Sequence, residues 1–178
     1  MNVEILEERG YDHALLGLSL SYRQDVKRMR AVAERLAPLG DGHNKYLETM
    51  VVWLDIDAPR YFWQQFDTYR VGVSKQSEST MHTMTSRSLQ QDDFEHPIPE
   101  AYLNHLNRGI AGKEWESVKH DLPESFLQRR IVCLNYMVLQ RIVRQRRSHK
   151  LTEWQQFIRD VLVQLEHPEL LREEGAER

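Results

Sequence analysis

A run of polar side chains follows an aromatic segment near the middle of the chain. Arg70 leads into the stretch VGVSKQSEST, which holds four further polar residues at short intervals: Ser74, Gln76, Ser77 and Ser79. Hydroxyl and amide groups donate hydrogen bonds, and an arginine pairs with an anion through charge-assisted hydrogen bonds. These residue types indicate a loop that binds a phosphate or the edge of a base. A solvated serine-rich loop is the alternative reading of the same pattern.

Positive charge is concentrated in the last third of the chain. The formal net charge is −3, yet no acidic residue occurs between Glu124 and Glu153. The cations in this interval are Arg129, Arg130, Arg141, Arg144, Arg146, Arg147 and Lys150. Neighbouring cations on one helix repel one another, so we expect an anionic ligand or an acidic partner subunit to face them. The overall negative charge argues against a general nucleic-acid binder.

Several common enzyme motifs are absent from the sequence. The chain contains no glycine-rich phosphate loop with a following lysine, no HExxH, no CxxC pair and no GxSxG, which argues against P-loop enzymes, zinc proteases and α/β-hydrolases. The eight histidines show no ligand spacing, so no metal site is predicted. Cys133 lies in the apolar run IVCLNYMVL, which indicates a buried structural thiol.

Length and composition favour one cytoplasmic globular domain. The 178 residues are 40% hydrophobic and 29% charged, enough for one sizeable core. No run approaches the roughly 18 apolar residues of a membrane span, and the N-terminus resembles no signal peptide. We expect a single domain over residues 1–166 and a polar, frayed tail over residues 167–178, because the tail offers nothing to bury.

A mixture of strands and helices must position the polar groups. VEILEE predicts an edge strand, and VVWLDID predicts a strand that runs into the aromatic helix APRYFWQQFDTY. Helices are also predicted after Ser21, in GDGHNKYLET, near HPIPEAYLNHL, and in LTEWQQFIRDVLVQL with Thr152 as its cap. The stretch after Arg70 is predicted to be a loop or a brief strand with a loop.

The strongest helical pattern covers residues 123–148. Its apolar face consists of Leu127, Ile131, Leu134, Val138 and Ile142, with arginines on the adjoining stripe. The aromatic residues Trp53, Phe62, Trp63 and Phe66 are predicted to lie in the core, whereas Tyr69 is kept as a possible ligand contact.

These features follow one another in the order found in the flavin-dependent thymidylate synthases, which the chain resembles from about His43 to Leu162. The first block runs in the order His43, Leu47, Glu48, the strand VVWL, Pro59, Arg60, Gln65 and Phe66. The segment TYRVGVSKQSESTMH then stands where that family has RHRxxSxNExSxR. The segment LNYMVLQRIVRQRRSHKLTEW supplies the second block through Asn135, Leu139, Arg144 and Glu153.

The resemblance implies an α+β fold, helix-rich with a small sheet and in one domain. It implies FAD as cofactor, with NADPH and methylenetetrahydrofolate as co-substrates, and methyl transfer to the deoxyuridine nucleotide dUMP in a homotetramer. The flavin contacts that it implies are His43, Arg70, Ser74, Gln76 and Glu153. For His43, as for Glu48, the start of a helix is the alternative reading. The nucleotide contacts are Gln65, Ser77, Ser79, Arg141 and Arg144, and the catalytic roles fall to Ser79 and Arg70.

The sequence departs from that family at charged positions. Arg70 and Ser74 are one residue further apart, and Met81, Met137 and Gln155 each stand where an arginine is expected. Losing a charge-assisted hydrogen bond costs about 1.5–3 kcal/mol, which slows a dependent reaction by roughly ten- to a hundredfold. Two alternatives therefore stay open: a non-catalytic nucleotide-binding or assembly protein of the same fold, and an interaction module whose basic helix docks an acidic partner or nucleic acid.

Overall fold

The sheet is small and lies among many short helices. The structure is a computed structural model that describes residues 1–171, apart from the side chain of Thr85. The strands are β1 (Asn2–Arg9), β2 (Val51–Pro59), β3 (Val73–Ser77) and β4 (Leu127–Asn135). They form an antiparallel sheet in the order β1-β2-β4-β3. The strands predicted from VEILEE and VVWLDID are confirmed.

Helices make up most of the regular structure between residues 1 and 171. They are α1 (Tyr11–Tyr22), α2 (Met29–Leu36), α3 (Arg60–Phe66), α4 (Thr80–Ser86), α5 (Glu100–Ala111), α6 (Trp115–Asp121), α7 (Tyr136–Arg146) and α8 (Thr152–Gln164). Single 3₁₀ turns occur at Val26–Arg28, Lys45–Thr49, Gln91–Asp93 and Pro168–Leu171. The predicted α+β, helix-rich class is confirmed. In the described part of the chain, no helix combines the length and the apolar character needed to cross a bilayer.

The chain packs as two compact units. The first unit contains Met1–Asn2, Ile56–Thr68 and Lys75–Ile131. The second unit contains Val3–Asp55, Tyr69–Ser74 and the described residues from Val132 onward.

Helix α3 supplies an aromatic core to the first unit. Phe62, Trp63 and Phe66 are almost completely buried, as the sequence predicts. The indole Nε1–H of Trp63 donates to the carbonyl of Gln128 at 2.8 Å, which satisfies the only polar atom of that side chain. The guanidinium of Arg130 lies 4.3 Å from the Trp63 ring centroid, in a cation–π contact.

Asp67 links two cations at the end of α3. Its carboxylate accepts hydrogen bonds from Arg130 at 3.1 Å, and Lys75 Nζ lies 2.8 Å from one of its oxygens. Burial alone would raise the pKa of Asp67, but the hydrogen bonds from Lys75 and Arg130 hold it below its usual value. The Asp67 carboxylate therefore stays ionised and fixes both basic side chains.

The second unit is built around α2, α7 and α8. Helix α2 buries Met29, Ala33 and Leu36 and ends before Pro38, as predicted. Helix α7 buries one face through Leu139, Ile142 and Val143, and α8 does so through Trp154, Phe157 and Val161. Burying a large apolar side chain contributes about 1.5–3 kcal/mol, so these faces hold the helices in place.

The prediction of one helix over residues 123–148 is wrong in its first half. Residues Leu127–Asn135 form strand β4, in which Val132 and Leu134 are buried at alternating positions. Their period of two and the β-branched pair Ile131–Val132 outweigh the helical spacing. Helix α7 begins only after Asn135, whose side-chain oxygen accepts from the backbone N–H of Val138 at 2.9 Å and caps the helix.

Other local predictions also need correction. Trp53 is 42% exposed, because it points to the opposite face of β2 from the buried Val52 and Leu54. Helix α8 begins at Thr152 itself, and Leu151 is its N-cap. The expected tail boundary lies too early, since Leu170 and Leu171 are buried; residues 172–178 lie outside the described chain.

Candidate functional site

A pocket of about 400 Å³ opens in the second unit. Three stretches of the chain line it: residues 40–48, residues 71–72, and the segment from Asn135 to Arg144. Ligand sites for small molecules have volumes of about 300–1,000 Å³. The size therefore matches a compact ligand such as a mononucleotide.

One wall of the pocket is a turn that requires left-handed backbone. Asp41 has a φ of 55° and Gly42 a φ of 84°. Backbone hydrogen bonds from His43 to Gly40 (3.1 Å) and from Lys45 to Gly42 (3.3 Å) close the turn. Glycine and aspartate tolerate this conformation, which explains the GDG sequence at this place.

A second wall is formed where Gly72 packs against the start of α7. Gly72 has a φ of 74°, and a Cβ there would lie 2.9 Å from Val138 Cγ2 and 3.0 Å from Asn135 Nδ2. Only glycine allows this approach without a shift of its neighbours. The turn after Arg70 is thereby held against the capped N-terminus of α7.

The floor is a hydrogen-bonded pair of amides. Nδ2 of the buried Asn44 donates to Gln140 Oε1 and to the carbonyl of Ala37, both at 3.2 Å. Gln140 Nε2 in turn donates to the carbonyls of Ala37 at 2.8 Å and Leu170 at 3.0 Å. These bonds fix both side chains before any ligand arrives, which is the requirement for a pre-organised site.

Among the described residues, the pocket is lined by charged side chains of both signs, with three cations and two acids. Met137, Arg141 and Arg144 lie on one face of α7 at helical spacing, and Lys45 faces the same pocket. The acidic lining residues are Asp41 and Glu48.

Arg141 carries an unsatisfied polar atom. Its Nε is buried and has no hydrogen-bond partner among residues 1–171. Its guanidinium lies 5.7 Å from the ring centroid of Tyr69. Leaving a buried donor unpaired costs about 1–3 kcal/mol, so such an atom calls for an explanation. Arg141 is also one of the residues that line the pocket.

Arg146, in contrast, is already engaged inside the unit. Its Nε donates to the Tyr69 hydroxyl at 3.0 Å, and its guanidinium lies 4.6 Å from the Trp154 ring centroid. Tyr69 itself is 4% exposed and donates its hydroxyl to Gln145 at 3.0 Å. The crowding of arginines predicted from the sequence is therefore partly relieved by aromatic rings.

The resemblance leads us to expect arginine at positions 137 and 155, but the residues found there have other surroundings and contacts. Met137 lines the pocket and brings no charge to it. Gln155 Nε2 donates to the carbonyls of Arg146 (3.4 Å) and His149 (3.3 Å), at the end of α7. The cations of the pocket are thus Lys45, Arg141 and Arg144.

The structure brings some of the predicted site residues together. Arg141 and Arg144 share the pocket. His43 is exposed between the lining residues Gly42 and Asn44, and the exposed Arg70 directly precedes the lining Val71.

The remaining predicted residues have different surroundings. In the second unit, Ser74 is exposed on β3 and Glu153 is 5% exposed in the first turn of α8. In the first unit, Gln65 is half-buried on α3, while Gln76, Ser77 and Ser79 are exposed. The carbonyl of Ser79 accepts from the backbone N–H groups of His82 (3.0 Å) and Thr83 (2.9 Å), which begins α4.

Sequence patterns assign no role to Lys45, Gly72 or Gln140. The left-handed glycines could have been suspected from the GDG and RVG stretches. Gln140 carries no such signal, because its partners Asn44, Ala37 and Leu170 are distant in the chain.

Comparisons with known proteins identify the fold of this chain. The chain matches no protein-family model and no curated protein sequence. Its fold is that of the flavin-dependent thymidylate synthases, and the predicted fold class is confirmed.

Two of the similar solved structures come from Helicobacter pylori. One is the crystal structure of ThyX with FAD and dUMP. It matches with a TM-score of 0.79 and 16% sequence identity, and the match covers 94% of this chain and 95% of that chain. Another is the flavin-dependent thymidylate synthase ThyX complexed with FAD and dUMP. It matches with a TM-score of 0.81 and 18% sequence identity, and the match covers 97% of this chain and 98% of that chain.

Proposed function

We propose that this protein binds a pyrimidine nucleotide in the pocket of the second unit and carries out flavin-dependent methyl transfer to a deoxyuridine nucleotide, or closely related chemistry. The observation that carries the proposal is the meeting of three cations, Lys45, Arg141 and Arg144, on one pocket. Within residues 1–171, the buried Nε of Arg141 has no hydrogen-bond partner that would neutralise it. A nucleotide phosphate is the natural acceptor for such a group, because guanidinium and phosphate form paired, charge-assisted hydrogen bonds.

The shape of the pocket supports a mononucleotide. At about 400 Å³ it lies near the lower end of the usual range for ligand sites. The fixed amides of Asn44 and Gln140 and the glycine turns leave little to reorganise on binding. The nucleotide contacts of the proposal include Arg141 and Arg144 and, by resemblance, Gln65, Ser77 and Ser79.

Polar groups beside the pocket also suit a flavin. The exposed side chains of His43 and Arg70 can donate hydrogen bonds to an anionic cofactor. When bound, FAD would supply reducing equivalents, with NADPH and methylenetetrahydrofolate as co-substrates. The flavin contacts of the proposal are His43, Arg70, Ser74, Gln76 and Glu153. Arg70 and Ser79 keep their proposed catalytic roles, and the proposal includes a cytoplasmic homotetramer.

A second candidate is a non-catalytic nucleotide-binding protein of the same fold. Met137 in the pocket and Gln155 at the end of α7 favour it, because neither brings the charge expected at its position. Loss of a charge-assisted hydrogen bond at each position slows a dependent reaction by roughly ten- to a hundredfold.

An activity assay separates the two candidates. Purified protein is incubated with FAD, NADPH, methylenetetrahydrofolate and dUMP, and thymidylate is measured. Growth of a thymidine auxotroph that carries the protein is scored in parallel. Thymidylate formation that falls in the Arg141→Gln variant supports the enzyme. Nucleotide binding without turnover, and without rescue of growth, contradicts it and supports the second candidate.

A further inference from the structure

A second cluster of polar side chains lies away from the nucleotide pocket, at the end of β1. Glu8 comes from β1, whereas Glu166 and His167 follow α8. One potential ligand atom from each lies within 4.8 Å of the other two. These residues line a pocket of about 380 Å³ together with Arg9, Asp12 and His13.

Glu8 is held in a fixed orientation. One of its carboxylate oxygens accepts from the hydroxyl of Tyr136, which is fully buried. The other accepts from the backbone N–H of Glu166 at 2.9 Å. Each carboxylate oxygen accepts at more than one position, so both keep a free lone pair.

His167 is also oriented by its neighbours. Its ring stacks on that of Tyr11 with centroids 3.5 Å apart and an angle of 20° between the planes. Its Nδ1 lies 3.3 Å from Glu169 Oε1. When Nδ1–H donates to Glu169, Nε2 is left with its lone pair as a ligand. Metal-binding histidines commonly have such a carboxylate behind them.

In the described chain, no cation is paired with the two carboxylates of the cluster: Arg9 lines the same pocket but pairs with Glu7 at 2.7 Å. Within residues 1–171, neither Glu8 nor Glu166 forms an ion pair with lysine or arginine. The hydroxyl of Tyr11, on the same pocket, is buried with no hydrogen-bond partner in the described chain. Two carboxylates this close repel each other, and a divalent cation between them removes that repulsion.

We propose that Glu8, Glu166 and His167 bind a divalent transition-metal ion, zinc in the first place. One imidazole nitrogen with two carboxylate oxygens is a ligand set that zinc accepts, and magnesium and calcium prefer oxygen alone. Three protein ligands leave a fourth position open to water or to a small ligand in the pocket. Such an ion would join the end of β1 to the segment after α8. Glu8 is far from Glu166 and His167 in the sequence, so the spacing of residues along the chain does not reveal this ligand set.

Metal titration of the untagged full-length protein tests the site. The protein is stripped with a chelator and titrated with zinc chloride by calorimetry, and bound zinc is counted after equilibrium dialysis. We expect one zinc ion per chain. His167→Gln and Glu166→Gln should each weaken binding at least tenfold, and Glu169→Gln by about ten- to a hundredfold. The matched controls are His120→Gln and Glu116→Gln, both exposed on α6, and they should leave the affinity unchanged.

Cobalt gives a spectroscopic readout of the same ligands. Cobalt chloride added to the stripped protein should produce visible absorption bands that are lost in His167→Gln. Glu166 is exposed, so its variant should fold even if His167→Gln does not. Absence of zinc binding by the wild type, or equal affinity in the wild type and Glu166→Gln, overturns the proposal.

Discussion

Replacing Arg141 by glutamine should separate ligand binding from folding. The substitution removes a buried donor that has no partner among residues 1–171 and a guanidinium 5.7 Å from the Tyr69 ring. The cation–π contact is worth about 0.5–1 kcal/mol, whereas the unpaired donor costs about 1–3 kcal/mol. These contributions nearly cancel or favour the variant. We therefore expect the melting temperature of the ligand-free variant within about 4 °C of the wild type, or higher.

Nucleotide binding should respond very differently. A hydrogen bond to a charged group is worth about 1.5–3 kcal/mol, which corresponds to roughly a ten- to hundredfold loss of dUMP affinity. Calorimetric titration of dUMP into both proteins measures it. Arg159→Gln on α8 is the matched control, because Arg159 is exposed in the same unit and its loss changes the net charge equally. Equal dUMP affinities of Arg141→Gln and the wild type, or an equal loss in Arg159→Gln, would refute the reasoning.

Three further predictions concern stability. Asn135→Ala should cost about 1 kcal/mol in thermal unfolding, because it removes the N-cap of α7, and Asn135→Asp should restore most of it. Gly72→Ala should cost about 1–3 kcal/mol in urea unfolding, since its φ of 74° and the 2.9 Å approach to Val138 both oppose a Cβ; an unchanged midpoint would contradict this. The lowered pKa of Asp67 adds stability above its ordinary value of 3.8, and this stability is lost as pH falls through the folded value. Asp67→Asn should thus cost about 0.2–1 kcal/mol at pH 7 and flatten acid unfolding, whereas an unaltered acid profile would argue against the pairing.

Periodicity predicted the elements that have one buried face. The strand β2, the aromatic helix α3 and the apolar face of α2 are where the sequence placed them. The apolar residues of strand β4 fit helical spacing and an alternating pattern at once, so the sequence alone predicts a helix where the structure has a strand. Helix α1 is not predicted by periodicity, because it has leucines on its exposed side as well as on its buried side. Leu16 is 49% exposed and Leu20 is 74% exposed, so the helix shows no amphipathic stripe.

The site was predictable where charge or the family resemblance pointed to it; Glu48, Asn135 and Met137, which the resemblance singles out, line the pocket. Arg141 and Arg144 were identified from an acid-free segment, and the structure places both on one pocket. Lys45 and Gly72 come from separate turns, and no local pattern shows that these turns face α7. The remaining geometry depends on contacts between residues distant in the chain, which a single sequence does not reveal.

The contacts of Gln155 also cannot be read from the sequence alone. In the sequence it looked like a lost arginine, but its amide donates to the backbone carbonyls of Arg146 and His149. The carbonyls at the end of a helix need such partners.

The visible absorption spectrum of the purified protein, before and after addition of FAD and then of dUMP, tests the central claim most directly. We predict flavin bands that stay with the protein through gel filtration and shift when dUMP is added, because the proposed function places both ligands in one site. Protein that retains no flavin, and whose thermal stability neither FAD nor dUMP changes, would contradict the proposed function.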